Sequence, residues 1–232
     1  MPEADFVRQT YQAMRRYDFN AENTIACVGL CRDEVTRSLI DGIQETWGEA
    51  FNFSSLAGML FLGKTGFEAA HHHAPLMDGR ERYVYFTMPH IAIGPQGEIG
   101  LCYRAGRAEA SGACGALMAF RQEMAGGKLS LELDPFDLEQ SLLKQSLFRK
   151  IEYGQVPDLV TLTRFARDVI LEDLEQMVAL TVDAGHSDYA IFSGVQIHGP
   201  EGKNYVAPGV MVAVVGGKRE DITLPQPPRR PL

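Results

Sequence analysis

The sequence predicts an α/β fold with a mainly parallel central sheet flanked by helices on both faces. Two observations support this prediction. Short apolar runs rich in small and β-branched residues recur through the first half of the chain, which is the pattern of strands buried on both faces. Segments with apolar residues at helical spacing separate these runs, and such alternation is typical of a parallel sheet.

The length of the chain indicates how many domains to expect. A chain of 232 residues is long enough for one sizeable core and gives no clear indication of two domains. We therefore expect a single domain over residues 1–223. The remaining segment, 224–232, is rich in proline, which predicts an extended and mobile tail.

The first predicted elements are two helices with a strand between them. Apolar residues at helical spacing predict a helix over 4–17, and the run TIACVGL predicts a buried strand over 24–30. Asp33 opens the second helix, in which apolar residues recur every four positions and acidic residues occupy the first turn.

Three further apolar runs are predicted to be strands, and three further segments are predicted to be helices. The strand candidates are 56–63, 83–88 and 99–104. The helix candidates are 111–124, 136–150 and 157–184. Two late apolar runs, 188–199 and 205–217, are separated by the turn-like segment EGKN and predict a closing hairpin.

The charge and hydropathy of the chain restrict its partners. The formal net charge is −8, whereas a nucleic-acid groove or an anionic membrane surface requires an excess of lysine and arginine on one face. No apolar stretch reaches the roughly 18 residues that a transmembrane helix requires. The N-terminal residues do not follow the pattern of a secretory signal. We therefore expect a cytoplasmic, reducing location, with no nucleic-acid or membrane partner.

Three residues with metal-binding side chains lie at the ends of predicted elements. Cys31 directly follows the first strand, His90 follows the strand 83–88, and Cys114 lies at the start of the helix after the fourth strand. Parallel sheets bind ligands beyond the carboxyl ends of their strands, and zinc prefers cysteine and histidine ligands in a tetrahedron. Cys31, His90 and Cys114 are therefore candidate ligands of a Zn2+ ion.

Cys27 is an alternative partner for Cys31. Residues four apart on one strand are separated by about 13 Å, whereas two sulfurs bound to one zinc ion lie within roughly 4 Å of each other. Cys27, and Cys102 in another predicted strand, are therefore interpreted as core residues. The three candidate ligands are separated by 59 and 24 residues and match no compact zinc-finger pattern. The residues alone leave open that all four cysteines belong to the core.

Several short strings carry a family resemblance. They are CRDE at 31–34, GKTGFEAA at 63–70, DGRERYV at 78–84, PHIAI at 89–93 and SGACGAL at 111–117. The chain resembles the limiting-CO2-inducible protein B/C family, whose members look like β-class carbonic anhydrases in fold and active site. The resemblance implies a β-carbonic-anhydrase-like fold and zinc ligands at Cys31, His90 and Cys114.

The resemblance also implies an activity and an assembly. The expected activity is the reversible hydration of CO2 to bicarbonate and a proton by a zinc-bound hydroxide. The expected assembly is a homodimer. The alternative is a catalytically silent family member that keeps the ligands and acts as a structural or assembly subunit in inorganic-carbon handling.

An aspartate–arginine pair beside the metal is a further feature of β-class enzymes. A free aspartate can occupy the open zinc position, whereas one held by arginine orients the zinc-bound water. Asp33 matches the aspartate of the family pattern Cys-x-Asp-x-Arg, but position 35 is valine, and the second cysteine is not three residues after the histidine. Arg37, four residues after Asp33 on the predicted helix, is the predicted partner. Arg32 is the alternative.

Two other motifs suggest functions that we consider weaker. Residues 58–65, GMLFLGKT, match the P-loop pattern of nucleotide-binding proteins, but the four apolar residues in the middle are expected to be buried in a strand. His71, His72 and His73 cannot converge on one ion from a helix, because consecutive residues point about 100° apart. We expect partly exposed histidines near a helix end, with a proton-shuttle role as the alternative.

Overall fold

The computed structural model describes residues 1–104 and 106–225. Within them the helices are α1 (Glu3–Arg15), α2 (Arg37–Trp47), α3 (Gly63–His71), α4 (Gly115–Ala125), α5 (Leu138–Phe148) and α6 (Leu159–Thr181). The strands are β1 (Ile25–Gly29), β2 (Ala50–Asn52), β3 (Glu81–Thr87), β4 (His90–Ala92), β5 (Leu101–Cys102), β6 (Ser111–Gly112), β7 (Ser187–His198), β8 (Asn204–Val215) and β9 (Lys218–Asp221). Short 3₁₀ turns cover Glu34–Thr36, Leu56–Gly58 and Pro200–Gly202.

The described strands form a central mixed sheet and a small ribbon. The sheet has the order β2-β1-β3-β7-β8-β9. β4 pairs with the C-terminal end of β7. The strands from β2 to β7 are parallel, as are β4 and β7, whereas β8 and β9 are antiparallel to their neighbours. The predicted α/β class with a mainly parallel sheet is confirmed, and so is the closing hairpin. β5 and β6 form the separate antiparallel ribbon.

The two faces of the sheet bury different helices. α1 and α2 cover the face that carries Val28 and Phe86, and α3 to α6 cover the face that carries Cys27 and Tyr85. Side chains alternate between faces along a strand, so a strand with helices on both faces is apolar at every position. This arrangement explains the continuous apolar runs in the sequence.

The strand predicted over 56–63 is wrong. The segment forms a 3₁₀ turn, a loop and the first residue of α3. Ala57 and Gly58 have φ angles of 55° and 79°, which turn the backbone instead of extending it. A Cβ atom on Gly58 would lie 2.7 Å from the carbonyl oxygen of Met88, so only glycine fits this close approach. The apolar side chains just after the turn are nevertheless buried.

Two neighbouring predictions are shorter in the structure. The strand predicted over 99–104 is reduced to Leu101–Cys102, and the helix predicted over 111–124 begins at Gly115. Both changes have one cause, because Ser111–Gly112 pairs with Leu101–Cys102 in the ribbon. The helix can begin only after this pairing ends.

The C-terminal part of the described chain packs on the core. Leu224 is 5% exposed and belongs to the cluster on the α1 and α2 face, so packing extends past the predicted boundary at residue 223. The rest of the predicted tail, from residue 226, lies outside the described residues. No helix in the described part of the chain is long and apolar enough to cross a membrane.

Candidate metal centre

Cys31 lies two residues beyond the end of β1 and is held by its backbone neighbours. The Ser55 amide donates to the Leu30 carbonyl, and the Arg32 amide donates to the Ser55 carbonyl, both at 3.2 Å. The chain therefore cannot swing away from the strand end. Cys31 is only 4% exposed.

His90 begins β4, directly after the break that separates β4 from β3. The Gln196 amide donates to the Pro89 carbonyl at 3.0 Å, and His90 pairs with Gln196 across the sheet. β3 runs beside β1, with Thr87 opposite Gly29, so His90 lies at the same end of the sheet as Cys31. The His90 side chain is fully buried.

Cys114 is the residue that caps the N-terminus of α4. The nearby backbone amides of Leu117 and Ala116, in the first turn of α4, act to lower the pKa of its thiol. Amides at a helix N-terminus stabilise negative charge, so this position suits a thiolate ligand.

The three side chains converge on one point. Their ligand atoms all lie within 4.8 Å of one another. The Sγ atoms of Cys31 and Cys114 are 3.9 Å apart, close to the about 3.8 Å expected for two thiolates 2.3 Å from a tetrahedral zinc ion. The structure thus brings together the three residues that the sequence predicts as ligands.

The two ring nitrogens of His90 have different surroundings. Nδ1 lies 3.0 Å from Nε2 of His198. Nε2 is buried and has no hydrogen-bond partner in the described part of the chain. A buried polar atom without a partner is unfavourable, and a cation would satisfy it. Two thiolates and one imidazole are a donor set that zinc favours, so the residues fit this ion.

The two sulfurs of the centre share a hydrogen bond that separates their pKa values. Either sulfur can be the donor of this bond, which lowers the pKa of Cys31. The same bond, together with burial, raises the pKa of Cys114. A cation between the two sulfurs would favour the thiolate form of both.

Asp33 is held by an arginine from a distant part of the chain. Nη2 of Arg104 lies 2.8 Å from both carboxylate oxygens of Asp33. Arg104 also donates to the carbonyl of Gly112 at 3.3 Å and to the side chains of Ser111 and Glu34. The guanidinium group is therefore fixed from several sides, and it is only 17% exposed.

The predicted pairing of Asp33 with Arg37 is wrong. Arg37 is 69% exposed and pairs with Asp41 at 2.7 Å. Asp33 has an extended backbone and caps the 3₁₀ turn Glu34–Thr36, so it does not stand one helical turn from Arg37. The alternative, Arg32, donates to the Ser54 carbonyl and pairs with a glutamate on α5.

Comparison with known proteins identifies the family of this chain. The profile of the family described as limiting CO2-inducible proteins B/C, beta carbonic anhydrases, matches residues 1–215. The crystal structure of limiting CO2-inducible protein LCIB is 36% identical over 97% of this chain and 94% of that chain, with a TM-score of 0.81. The chain belongs to the limiting CO2-inducible protein B/C family.

A second solved structure shows the same fold at lower sequence identity. The crystal structure of PtLCIB4, a homolog of LCIB, is 24% identical over 95% of this chain and 94% of that chain, with a TM-score of 0.82. Comparison with curated proteins found no significant match.

Sequence reasoning missed two residues of the site in this B/C family member. Arg104 lies 71 positions after Asp33, and its only signal was an arginine at the end of a predicted strand that also contains Cys102. His198 ends β7 and contacts the candidate ligand His90. Burial lowers the pKa of His198 to about 4, so its imidazole is neutral at neutral pH.

The other cysteines and the histidine triplet lie outside the centre. Cys27 is fully buried within β1, and burial raises the pKa of its thiol. Its interpretation as a core residue is confirmed, whereas that of Cys102 is wrong, because Cys102 is half-buried on the ribbon β5–β6. His71 ends α3, and its Nε2 lies 2.7 Å from the hydroxyl of Tyr85 in the middle of β3. His73 stacks edge-on against Phe51 of β2.

Proposed function

We propose that this member of the B/C family is a zinc-dependent carbonic anhydrase that catalyses the reversible hydration of CO2 to bicarbonate and a proton. The observation that carries the proposal is the convergence of the ligand atoms of Cys31, His90 and Cys114 within 4.8 Å. The family description and the 36% identity to LCIB support it.

The charges of the candidate ligands suit this reaction. Two thiolates and a neutral imidazole together carry two negative charges, which balance a Zn2+ ion. Three protein ligands leave one tetrahedral position for a small molecule. A zinc ion held by these three residues would lower the pKa of a water molecule, so that the water oxygen could attack CO2 near neutral pH.

Asp33 and Arg104 have complementary roles in this proposal. Because Arg104 Nη2 engages both carboxylate oxygens at 2.8 Å, the carboxylate is held in place and is not free to turn toward the ligand atoms. Each carboxylate oxygen retains a lone pair that can accept a hydrogen bond from a hydroxyl beside the metal. Asp33 would orient the attacking oxygen, and Arg104 would position Asp33.

A surface pocket of about 320 Å³ lies beside Cys31 and Asp33 and is not lined by His90 or Cys114. Cys31, Asp33, Thr36 and Ile40 are among its lining residues. CO2 is small and uncharged, so it requires an accessible path and some apolar surface and no charged cradle. The pocket would bring such a molecule beside Cys31 and Asp33.

The proposal is tested on the purified chain by measuring zinc content together with stopped-flow CO2 hydration between about pH 7 and 9. We expect one zinc ion per chain and measurable hydration. A chain that is fully loaded with zinc and shows no hydration across this range would instead support the silent, structural alternative. A chain that does not retain zinc would overturn the metal assignment itself.

We also propose that the chain forms a homodimer through an exposed apolar patch. Six large apolar side chains between residues 133 and 156 are exposed, and this set is here called the α5 patch: Leu133, Phe136, Leu138, Phe148, Tyr153 and Val156. Phe136 is 99% exposed, and apolar patches of this kind mark interaction surfaces.

Replacing Phe136 and Tyr153 by serine should shift the mass in light scattering from dimer to monomer. Leu180→Ser, at an exposed apolar position outside the patch, is the matched control.

A further inference from the structure

A chain of hydrogen bonds extends from His90 away from the metal centre. His90 Nδ1 lies 3.0 Å from His198 Nε2, and His198 Nδ1 lies 3.1 Å from Asn204 Oδ1. Asn204 Nδ2 donates to Ser38 Oγ at 3.0 Å, and Ser38 Oγ donates to Glu3 Oε2 at 2.7 Å. The chain therefore connects a candidate zinc ligand on β4 with a carboxylate on α1.

The carboxylate at the end of this chain is buried and well supplied with donors. Glu3 is 9% exposed, and its other oxygen accepts a hydrogen bond from Gln196 Nε2 at 2.6 Å. Burial raises the pKa of this carboxyl above its ordinary value, and the hydrogen bonds from Gln196 and Ser38 offset part of that rise. Bonds this short are typical of an ionised acceptor, and a position in the first turn of α1 favours negative charge.

An ionised Glu3 determines the direction of every bond in the chain. A carboxylate only accepts, so the single hydroxyl proton of Ser38 must point toward Glu3. Ser38 then accepts from the Asn204 amide nitrogen, which leaves the amide oxygen facing His198. Because the Asn204 amide oxygen can only accept a hydrogen bond, His198 must carry its proton on Nδ1. The other nitrogen of the neutral His198 ring then accepts from Nδ1 of His90.

We propose that Glu3 positions His90 for metal binding by fixing its tautomer, with the proton on Nδ1 and the lone pair of Nε2 aimed at the two sulfurs. This inference rests on the proposed zinc site. The unpaired, buried Nε2 atom of His90 is the end of the chain that faces the centre. Glu3, Ser38, Asn204 and His198 are positioning residues, because none of them supplies an atom to the metal cluster.

Glu3→Gln should reverse the donor–acceptor direction of this row of hydrogen bonds while keeping the size and shape of the side chain. The amide oxygen of the new side chain accepts from Gln196, and its amide nitrogen donates to Ser38. The Ser38 hydroxyl is then free to turn and donate to the Asn204 oxygen once the Asn204 amide flips, which lets the Asn204 nitrogen donate to His198 Nδ1. The proton of His198 moves to Nε2 and points at Nδ1 of His90, so the proton of His90 moves to Nε2. To bind zinc through Nε2, His90 would then have to reverse the direction of all these hydrogen bonds.

The test compares the wild-type chain with Glu3→Gln and with Glu22→Gln, a change at an exposed glutamate. In zinc-free protein, two-bond 15N–1H correlation spectra of the histidine rings should show His90 protonated on Nδ1 in the wild type and the Glu22→Gln control. The same spectra should show Nε2 protonation in Glu3→Gln. Competition with a chromophoric chelator should give a zinc affinity about 10- to 100-fold weaker for Glu3→Gln alone.

Ser38→Ala provides a second, independent variant. It removes the link without reversing it, so we expect a mixture of both His90 tautomers and a smaller loss of zinc affinity. Because Ser38 lies at the surface, this substitution leaves the core packing intact.

The outcomes separate this inference from the proposed zinc site. If the wild type and Glu3→Gln show the same His90 tautomer and the same zinc affinity, the positioning role of Glu3 is overturned while the zinc site stands. If the wild type itself binds no zinc, the proposed site fails, and the tautomer spectra still decide the inference about His90.

Discussion

Two buried clusters of this protein combine thiol and histidine side chains, and only one is arranged to bind a metal. The strand-end cluster consists of Cys31, His90 and Cys114. The interior cluster consists of Cys27, His71, Tyr83 and Tyr85. Both lie on or beside β1 and β3, so the comparison isolates the effect of position along the strands.

Strand geometry explains the difference between the clusters. In the interior cluster, Cys27 and Tyr85 stand opposite each other on neighbouring strands, and the Tyr85 hydroxyl is 2.7 Å from the His71 ring. Side chains on paired strands point the same way and stand about 4.5–5.5 Å apart at Cβ, so they pack side by side. Beyond the strand ends, three separate backbone segments can approach one point from different directions. A buried histidine therefore becomes a candidate ligand only where other donors converge on it.

The largest expected effect tests the strand-end cluster directly. Cys31→Ser or His90→Ala removes one of three ligands, so zinc should be lost and CO2 hydration should fall to the uncatalysed rate. Mass spectrometry measures the zinc content, and stopped-flow CO2 hydration measures the activity. Cys27→Ser, within β1, should keep its zinc. Retained zinc in either of the first two variants would show that the ligand assignment is wrong.

The next effect concerns the pair beside the strand-end cluster. Arg104→Ala frees Asp33, so the hydration rate should fall about 10- to 100-fold, the range typical of residues that support a metal site. Zinc content should stay unchanged. Arg37→Ala is the control, because Arg37 is exposed and pairs only with Asp41 among the described residues. Equal activity of the two variants would remove Arg104 from the mechanism.

A smaller effect is expected in the interior cluster. Cys27→Ser places a hydroxyl in a fully buried site within the core, which should lower the free energy of unfolding by about 1–3 kcal/mol. Urea unfolding followed by circular dichroism measures this change. Cys102→Ser, at a half-buried position on the ribbon, should cost less. A Cys27→Ser variant as stable as the wild type would contradict the interpretation of Cys27 as a packed core residue.

The smallest effect is a change of pH dependence from the interior histidine. Burial lowers the pKa of His71 in the folded protein below its value of about 6.5 in the unfolded chain. Protons then bind the unfolded chain more readily, so the folded state loses stability as the pH falls below about 6.5. His71→Phe should make this decline less steep. The measurement is the free energy of unfolding at several pH values between about 5 and 7, and identical slopes would contradict the prediction.

The sequence predicted one region of the site well and the other poorly. Cys31, His90 and Cys114 are recognisable because each directly follows or caps a regular element, and hydrophobic periodicity locates those elements. Arg104 is not recognisable in this way, because its contact with Asp33 depends on how the ribbon β5–β6 folds back over the strand ends. The Arg37 prediction failed because it assumed helical geometry where a 3₁₀ turn intervenes.

The fold shows the same division. The central helices and strands carry clear apolar patterns, and most were predicted within a few residues of their bounds. The segment 56–63 has the apolar composition of a strand, but Ala57 and Gly58 turn its backbone beneath Met88. Composition predicts burial, and it does not by itself distinguish a buried strand from a buried loop.

The sequence by itself determined the α/β class, the elements that carry the ligands, and the residue types that give the site its chemistry. These depend on local patterns of apolar residues and on the identity of single side chains. Only the tertiary structure decided which arginine holds Asp33 and which residues support His90. Those contacts join residues 71 or more positions apart. They depend on strand order and on loop paths, which no local pattern specifies.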